Sequence, residues 1–152
     1  KESFLVSDLF NDCCHHVISA GSHEVIFEGN KDIKLYADEQ QISQVLVNFV
    51  NNAVKYAPDS KKIIIDATQV DQDTVRISVT DYGPGVAPEK LAFLFERYYR
   101  ADYSGRRFSG LGLGLFISAE IVKKHGGEIG ADSEPGKGST FWFTIPTLKN
   151  VK

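Results

Sequence analysis

Four polar side chains stand about one helical turn apart in one stretch of the chain. Gln44, Asn48, Asn52 and Lys55 fall within QISQVLVNFVNNAVKYAP, Gln41 to Pro58, and line one side of a helix. A solvated helix face normally mixes Glu, Lys and Arg. This one holds neutral amides and closes on a single cation. Asn is a poor helix former, yet Asn48, Asn51 and Asn52 all lie mid-helix. A surface that merely tolerates amides is one account. The account favoured here is that amide oxygens beside a lysine suit a hard cation and the phosphates it carries.

Two glycine-bearing stretches could complete such a site. In TVRISVTD, Val75, Ile77 and Val79 alternate with polar residues, so they face a core. Asp81 shares their parity and points inward. A buried carboxylate needs a donor, and where no basic side chain supplies one, a ligand amine can. Tyr82-Gly83-Pro84-Gly85 follows, and glycine lets backbone approach a ligand closely. A plain turn capped by Asp81 fits this stretch equally well. Ser109-Gly110-Leu111-Gly112-Leu113-Gly114-Leu115 runs into a helix. Free N–H groups and the positive helix pole there make a phosphate cradle. A Gly-Leu repeat also suits a helix packed tightly on its neighbour. The stretch lacks the Gly-Lys-Ser/Thr ending of a P-loop.

These residues need elements to hold them. Apolar residues at Ile42, Val45, Leu46, Phe49, Val50, Ala53 and Val54 give the central helix one core face. Asp38 is placed to cap its start, and Ala57-Pro58 ends it. A first helix is expected over Ser7 to Ser19, and short strands over Glu24 to Glu28 and Ile33 to Ala37, joined by a tight turn at Gly29-Asn30. Strands are expected at Lys61 to Gln69, Thr74 to Asp81, Gly127 to Ser133 and Ser139 to Pro146. Pro88 to Leu94 reads as a short helix, and Glu96 to Gly110 as a long loop of the kind that usually carries function. Leu111 to His125 reads as a third helix, with Leu113, Ile117 and Ile121 on one side. Lys123, Lys124 and His125 suit its negative pole, and Gly126-Gly127 ends it. The arrangement is an α+β, two-layer sandwich: a mixed, mostly antiparallel sheet of about five strands against three main helices.

Composition narrows the function. The chain has 152 residues, enough for one domain with a proper core, and 42% are hydrophobic. A net charge of -3 without a basic run gives no sign of a nucleic-acid surface. No apolar run could span a bilayer. The chain starts at Lys1 and contains no Met, which reads as a fragment or a processed product. Cys13 and Cys14 are adjacent, which opposes a disulfide between them. With His15 and His16 they would fan out around a helix rather than converge on a metal. A reducing, cytoplasmic setting fits.

Together the motifs resemble the catalytic and ATP-binding domain of bacterial sensor histidine kinases. These share a superfamily and the Bergerat ATP-binding fold with gyrase, the mismatch-repair ATPase and the heat-shock chaperone ATPase. The resemblance covers nearly the whole chain, residues 1–152, as a single domain. Asn48 to Tyr56 is similar to the family's N box, and Asp81 to Gly85 to its first glycine box. Phe95-Glu96-Arg97-Tyr98-Tyr99-Arg100 is similar to its F box, with Tyr98 where phenylalanine is more usual. Gly110 to Leu115 is similar to its second glycine box, and Gly136-Lys137-Gly138-Ser139-Thr140-Phe141 to the turn before its last strand.

The resemblance implies ATP and Mg²⁺ as cofactors. It implies that Asp81 accepts from the adenine amine, with Gly85 against the base and Gly83 and Val86 in the nucleotide-binding set. Asn48 and Asn52 would hold Mg²⁺ and phosphates, Lys55 would meet phosphate oxygens and Tyr56 would lie near the nucleoside. Gly110, Gly112 and Gly114 would cradle the phosphates, with Leu111, Leu113, Leu115, Tyr98 and Thr140 also in the nucleotide-binding set. The lid would span Glu96 to Ser109, offering Arg97, Arg100, Arg106 or Arg107 for phosphate. Asn48, Lys55 and Arg97 would be the catalytic set. Hydrolysing relatives place a glutamate base where this chain has Asn48, and an amide takes no proton near neutral pH. Weak hydrolysis is therefore expected. His15, His16 and His23 do not match the phospho-acceptor motif, so the acceptor is expected on a separate dimerisation hairpin of the parent kinase, with a response regulator downstream. The isolated domain is expected to be cytoplasmic and monomeric, without nucleic acid or direct membrane contact, its parent anchored in the inner membrane or not. A family ATPase and a non-catalytic nucleotide-binding or docking module are the competing readings. Asn48 argues against the first, and the filling of every motif position against the second.

Overall fold

The computed structural model describes residues 2–13, 24–29, 32–56, 62–72, 74–83, 114–134 and 136–146. The chain opens with a strand that the sequence reading missed, β1 (Glu2–Leu5), followed by helix α1 (Val6–Cys13). Strands β2 (Glu24–Gly29) and β3 (Lys34–Ala37) precede the central helix α2 (Glu39–Tyr56). Next come β4 (Lys62–Gln69) and β5 (Thr74–Asp81), then helix α3 (Gly114–Lys124) and strands β6 (Ile129–Glu134) and β7 (Gly138–Pro146).

Five strands form one mixed sheet in the order β2-β4-β5-β7-β6, with β2 parallel to β4 and every other neighbour antiparallel. The expected α+β sandwich is what forms. The strands on either side of Gly29-Asn30 do not pair with each other. β3 pairs with β1 in a separate two-stranded sheet, Phe4 opposite Leu35. β2 joins the main sheet as an edge, because α2 supplies the long crossover that a parallel pair requires. Gly29 does have the positive φ of a turn residue, 83°. A Cβ there would lie 2.1 Å from the Ala67 carbonyl oxygen, so the glycine serves close contact with β4.

The core lies between the sheet and α2. Ile42, Val45, Leu46, Phe49 and Val50 are all fully buried, matching the helical spacing of the sequence. Phe49 sits between Phe141 and Phe143 of β7, with ring centroids 5.6 and 5.8 Å away. Asp38 caps α2 as expected: its Oδ1 accepts from the Gln41 N–H at 3.2 Å. α3 ends in a Schellman motif, with Gly126 N–H to Lys123 O and Gly127 N–H to Val122 O, both 3.0 Å.

One expected face is corrected. On α3, Ile121 packs on the core as do Leu115, Ser118, Ala119 and Val122, whereas Ile117 is exposed. Three consecutive apolar residues, Leu115 to Ile117, leave the helical phase open in sequence. Packing against α2 decides it. His125 is also not a surface cation at the helix pole. It is buried, Nε2 accepts from the Asp38 N–H at 3.1 Å, and Nδ1 then donates to the Ile121 carbonyl at 2.8 Å. The ring clasps the end of α3 to the start of α2. Among the described residues, no helix is long and apolar enough to cross a membrane.

Candidate nucleotide site

Asp81 closes β5, where the burial pattern alternates along the strand as the sequence requires. It lies on the face covered by α2 and is only 5% exposed. No basic side chain among the described residues pairs with it. Its Oδ1 accepts from the Gly83 N–H at 2.9 Å, and the Ser139 N–H also donates to the carboxylate. Desolvation raises the carboxyl above its ordinary value, and these two amide bonds pull the other way. Backbone donors thus orient the carboxylate while leaving it lone pairs for a ligand amine. Tyr82, the next residue, is exposed.

The strand opposite completes this end of the sheet. Asp81 stands in register with Ser139, and Thr80 with Thr140. Ser139 is buried, and its Oγ lies 2.8 Å from Ser133 Oγ, which also donates to the Gly138 carbonyl at 2.9 Å. Gly138 has φ +104°, and a Cβ there would come within 2.1 Å of the Asp81 carbonyl oxygen. Only glycine lets β7 start this close to the end of β5.

Thr140 stands next to Ser139 on β7. Its Oγ1 meets Thr80 Oγ1 at 3.0 Å, on the sheet face away from α2. Side chains alternate along β7, so the hydroxyl brought to Asp81's side is Ser139. The signal was present in sequence: Ser139 has the parity of Phe141, Phe143 and Ile145, all of them buried.

Asn48 and Asn52 stand one turn apart on α2, both half-buried. Asn48 Nδ2 donates to Ser118 Oγ of α3 at 3.0 Å, and Ser118 is fully buried. Sequence reasoning missed Ser118, although a serine on the stripe of Leu115 and Val122 is a polar residue at a core position. Lys55 and Tyr56 lie in the last turn of α2, and their side chains are outside the described residues. Gly114 opens α3 and Leu115 packs on the core. Gly85, Val86, Arg97, Tyr98, Gly110, Leu111, Gly112 and Leu113 lie outside the described residues. So do Arg100, Arg106, Arg107, the expected helix at Pro88 to Leu94, the rest of the lid, and Cys14, His15, His16 and His23.

The chain is similar to known proteins in sequence and fold. Residues 37–149 match the sequence family described as histidine kinase-, DNA gyrase B- and HSP90-like ATPase. The sensor histidine kinase WalK of Bacillus subtilis is 40% identical over 77% of this chain, which spans 20% of that protein. The adaptive-response sensory kinase SasA of Rippkaea orientalis is 38% identical over 76% of the chain, which spans 29% of it. The matched stretch therefore spans less than a third of the length of either relative. Among solved structures, the catalytic domain of histidine kinase ThkA has a TM-score of 0.79 at 29% identity, covering 95% of this chain and 94% of that one. Full-length ShkA in complex with AMPPNP has a TM-score of 0.72 at 34% identity, covering 93% of this chain and 28% of that one. The family match spans the amide-bearing helix α2, strands β4 to β7 and α3, and the chain belongs to the histidine kinase-, DNA gyrase B- and HSP90-like ATPase family, as a domain similar to the ATP-binding catalytic domains of sensor histidine kinases.

Proposed function

We propose that this domain binds Mg-ATP and holds its γ-phosphoryl for transfer to a histidine on a separate dimerisation hairpin, in two-component signalling. The observation that carries the reading is Asp81: a buried carboxylate held by backbone amides, with no basic partner among the described residues. It accepts from the exocyclic amine of adenine. Guanine places a carbonyl oxygen there, which the carboxylate repels, so ATP is preferred to GTP. Gly83 and Gly85 keep the turn close to the base, and Ser139 rather than Thr140 supports Asp81 from β7.

The donor chemistry of α2 fits magnesium. Asn48 and Asn52 offer neutral amide oxygens on one helix face, and Mg²⁺ takes few protein ligands while keeping waters and phosphate oxygens. Bound there, the ion would neutralise phosphate charge. Lys55, with one of Arg97, Arg100, Arg106 or Arg107, contacts phosphate oxygens. The Gly110–Leu115 stretch leads into the N-terminus of α3, where free N–H groups favour an anion. Asn48 cannot serve as a base for water. That suits a kinase, which needs the γ-phosphoryl held in line for an external nucleophile. The setting is the cytoplasm, and the response regulator receives the phosphoryl group from the hairpin.

Calorimetric titration with Mg-ATP, Mg-ADP and Mg-GTP tests this, with Asp81→Asn as control. Binding of the adenine nucleotides alone, lost in Asp81→Asn, is the expected result. Equal binding of GTP would remove Asp81 from the base site. No binding of any nucleotide would return the domain to a docking role.

A further inference from the structure

Asn48 has a partner that none of the expected nucleotide motifs includes. Its Nδ2 donates to Ser118 Oγ at 3.0 Å, across the packed faces of α2 and α3. Ser118 is fully buried, one turn into the helix opened by Gly114. We propose that Ser118 is a positioning residue, one that fixes which end of the Asn48 amide faces the metal and phosphates. The inference rests on the proposed Mg-ATP function and deepens it.

The argument is one of shape. The two ends of a carboxamide are nearly identical in size, so packing alone does not choose between them. A hard cation takes the oxygen and rejects the NH₂. A helical serine commonly gives its single hydroxyl proton to the carbonyl one turn earlier. Its oxygen is then an acceptor and selects Nδ2. Because the amide is planar, holding Nδ2 on Ser118 also sets the direction of Oδ1. Ser118 lies on the same helix as the end of the second glycine stretch, so the bond ties the metal-facing amide to the phosphate-facing loop. Partners of this kind, one step removed from a metal, commonly change metal affinity when they are removed.

The test has two parts. In ¹⁵N spectra of the nucleotide-free protein, the Asn48 side-chain NH₂ pair is identified by its absence in Asn48→Asp. We expect the pair to shift in Ser118→Ala and to hold in Ser118→Thr. Alanine is smaller and a better helix former, so that variant keeps the fold. ATP is then titrated with Mg²⁺ and again with EDTA. Ser118→Ala should weaken Mg²⁺-supported binding by about tenfold while leaving metal-free binding unchanged, with recovery in Ser118→Thr. An unmoved NH₂ pair, or equal loss with and without Mg²⁺, overturns the proposal, since a purely structural bond would affect both titrations alike. Failure of the wild type to bind ATP under either condition is a separate result. It overturns the proposed function, and this role with it, even if the amide signals behave as expected.

Discussion

In the proposed site Asp81 accepts from adenine, and it is buried where charge is costly. Desolvation raises its pKa above the ordinary 3.8, against the pull of the Gly83 and Ser139 amides. A carboxyl with a raised folded-state pKa adds stability that is fully present below its unfolded value. That contribution disappears as pH rises through the folded value. Once ionised, Asp81 is a buried charge that Asp81→Asn would remove. The variant should melt higher than wild type at pH 7, and the gap should close in melting curves taken below about pH 3.8. A gap that ignores pH would mean that burial does not penalise the carboxylate. Higher stability with lost nucleotide binding would mark Asp81 as a residue kept for function.

At the level of elements, α2 is held at its start by two unrelated devices. Asp38 caps it through Oδ1, and the Asp38 N–H is taken up by His125 from the end of α3. Asp38→Ala removes only the first and should cost about 1 kcal/mol. Urea unfolding checks this as a lower midpoint with an unchanged slope. A cost near zero would show that the His125 clasp alone holds the helix start. The cap was legible in sequence, since an Asp one turn before the first apolar position of a helical stretch, Ile42, is a local signal. The clasp was not, because His125 and Asp38 are separated by most of the chain. The face of α3 was also illegible: Leu115, Phe116 and Ile117 offer several phases, and only contact with α2 buries Ser118 in place of Ile117.

At the level of the whole molecule, nucleotide site and phosphoryl acceptor are expected on separate parts of a kinase. Incubated with labelled ATP, this chain alone should take up no label and hydrolyse ATP slowly, given Asn48 in place of a base. With the parent's histidine hairpin supplied, label should appear on the hairpin. Self-labelling, or turnover like that of a dedicated ATPase, would refute the division of labour. The sequence by itself determined the strands of the main sheet, the core face of α2, the inward carboxylate at Asp81 and the amide stripe, because periods of 2 and 3.6 are local properties of a chain. Tertiary structure decided which strands became neighbours. Gly29-Asn30 looked like a hairpin turn, yet α2 carries the chain across to set β2 parallel to β4, and β3 goes to β1. It also set Ser139, not Thr140, beside Asp81, and Ser118 against Asn48. Register and helix phase depend on which surfaces meet, and no local pattern holds that information.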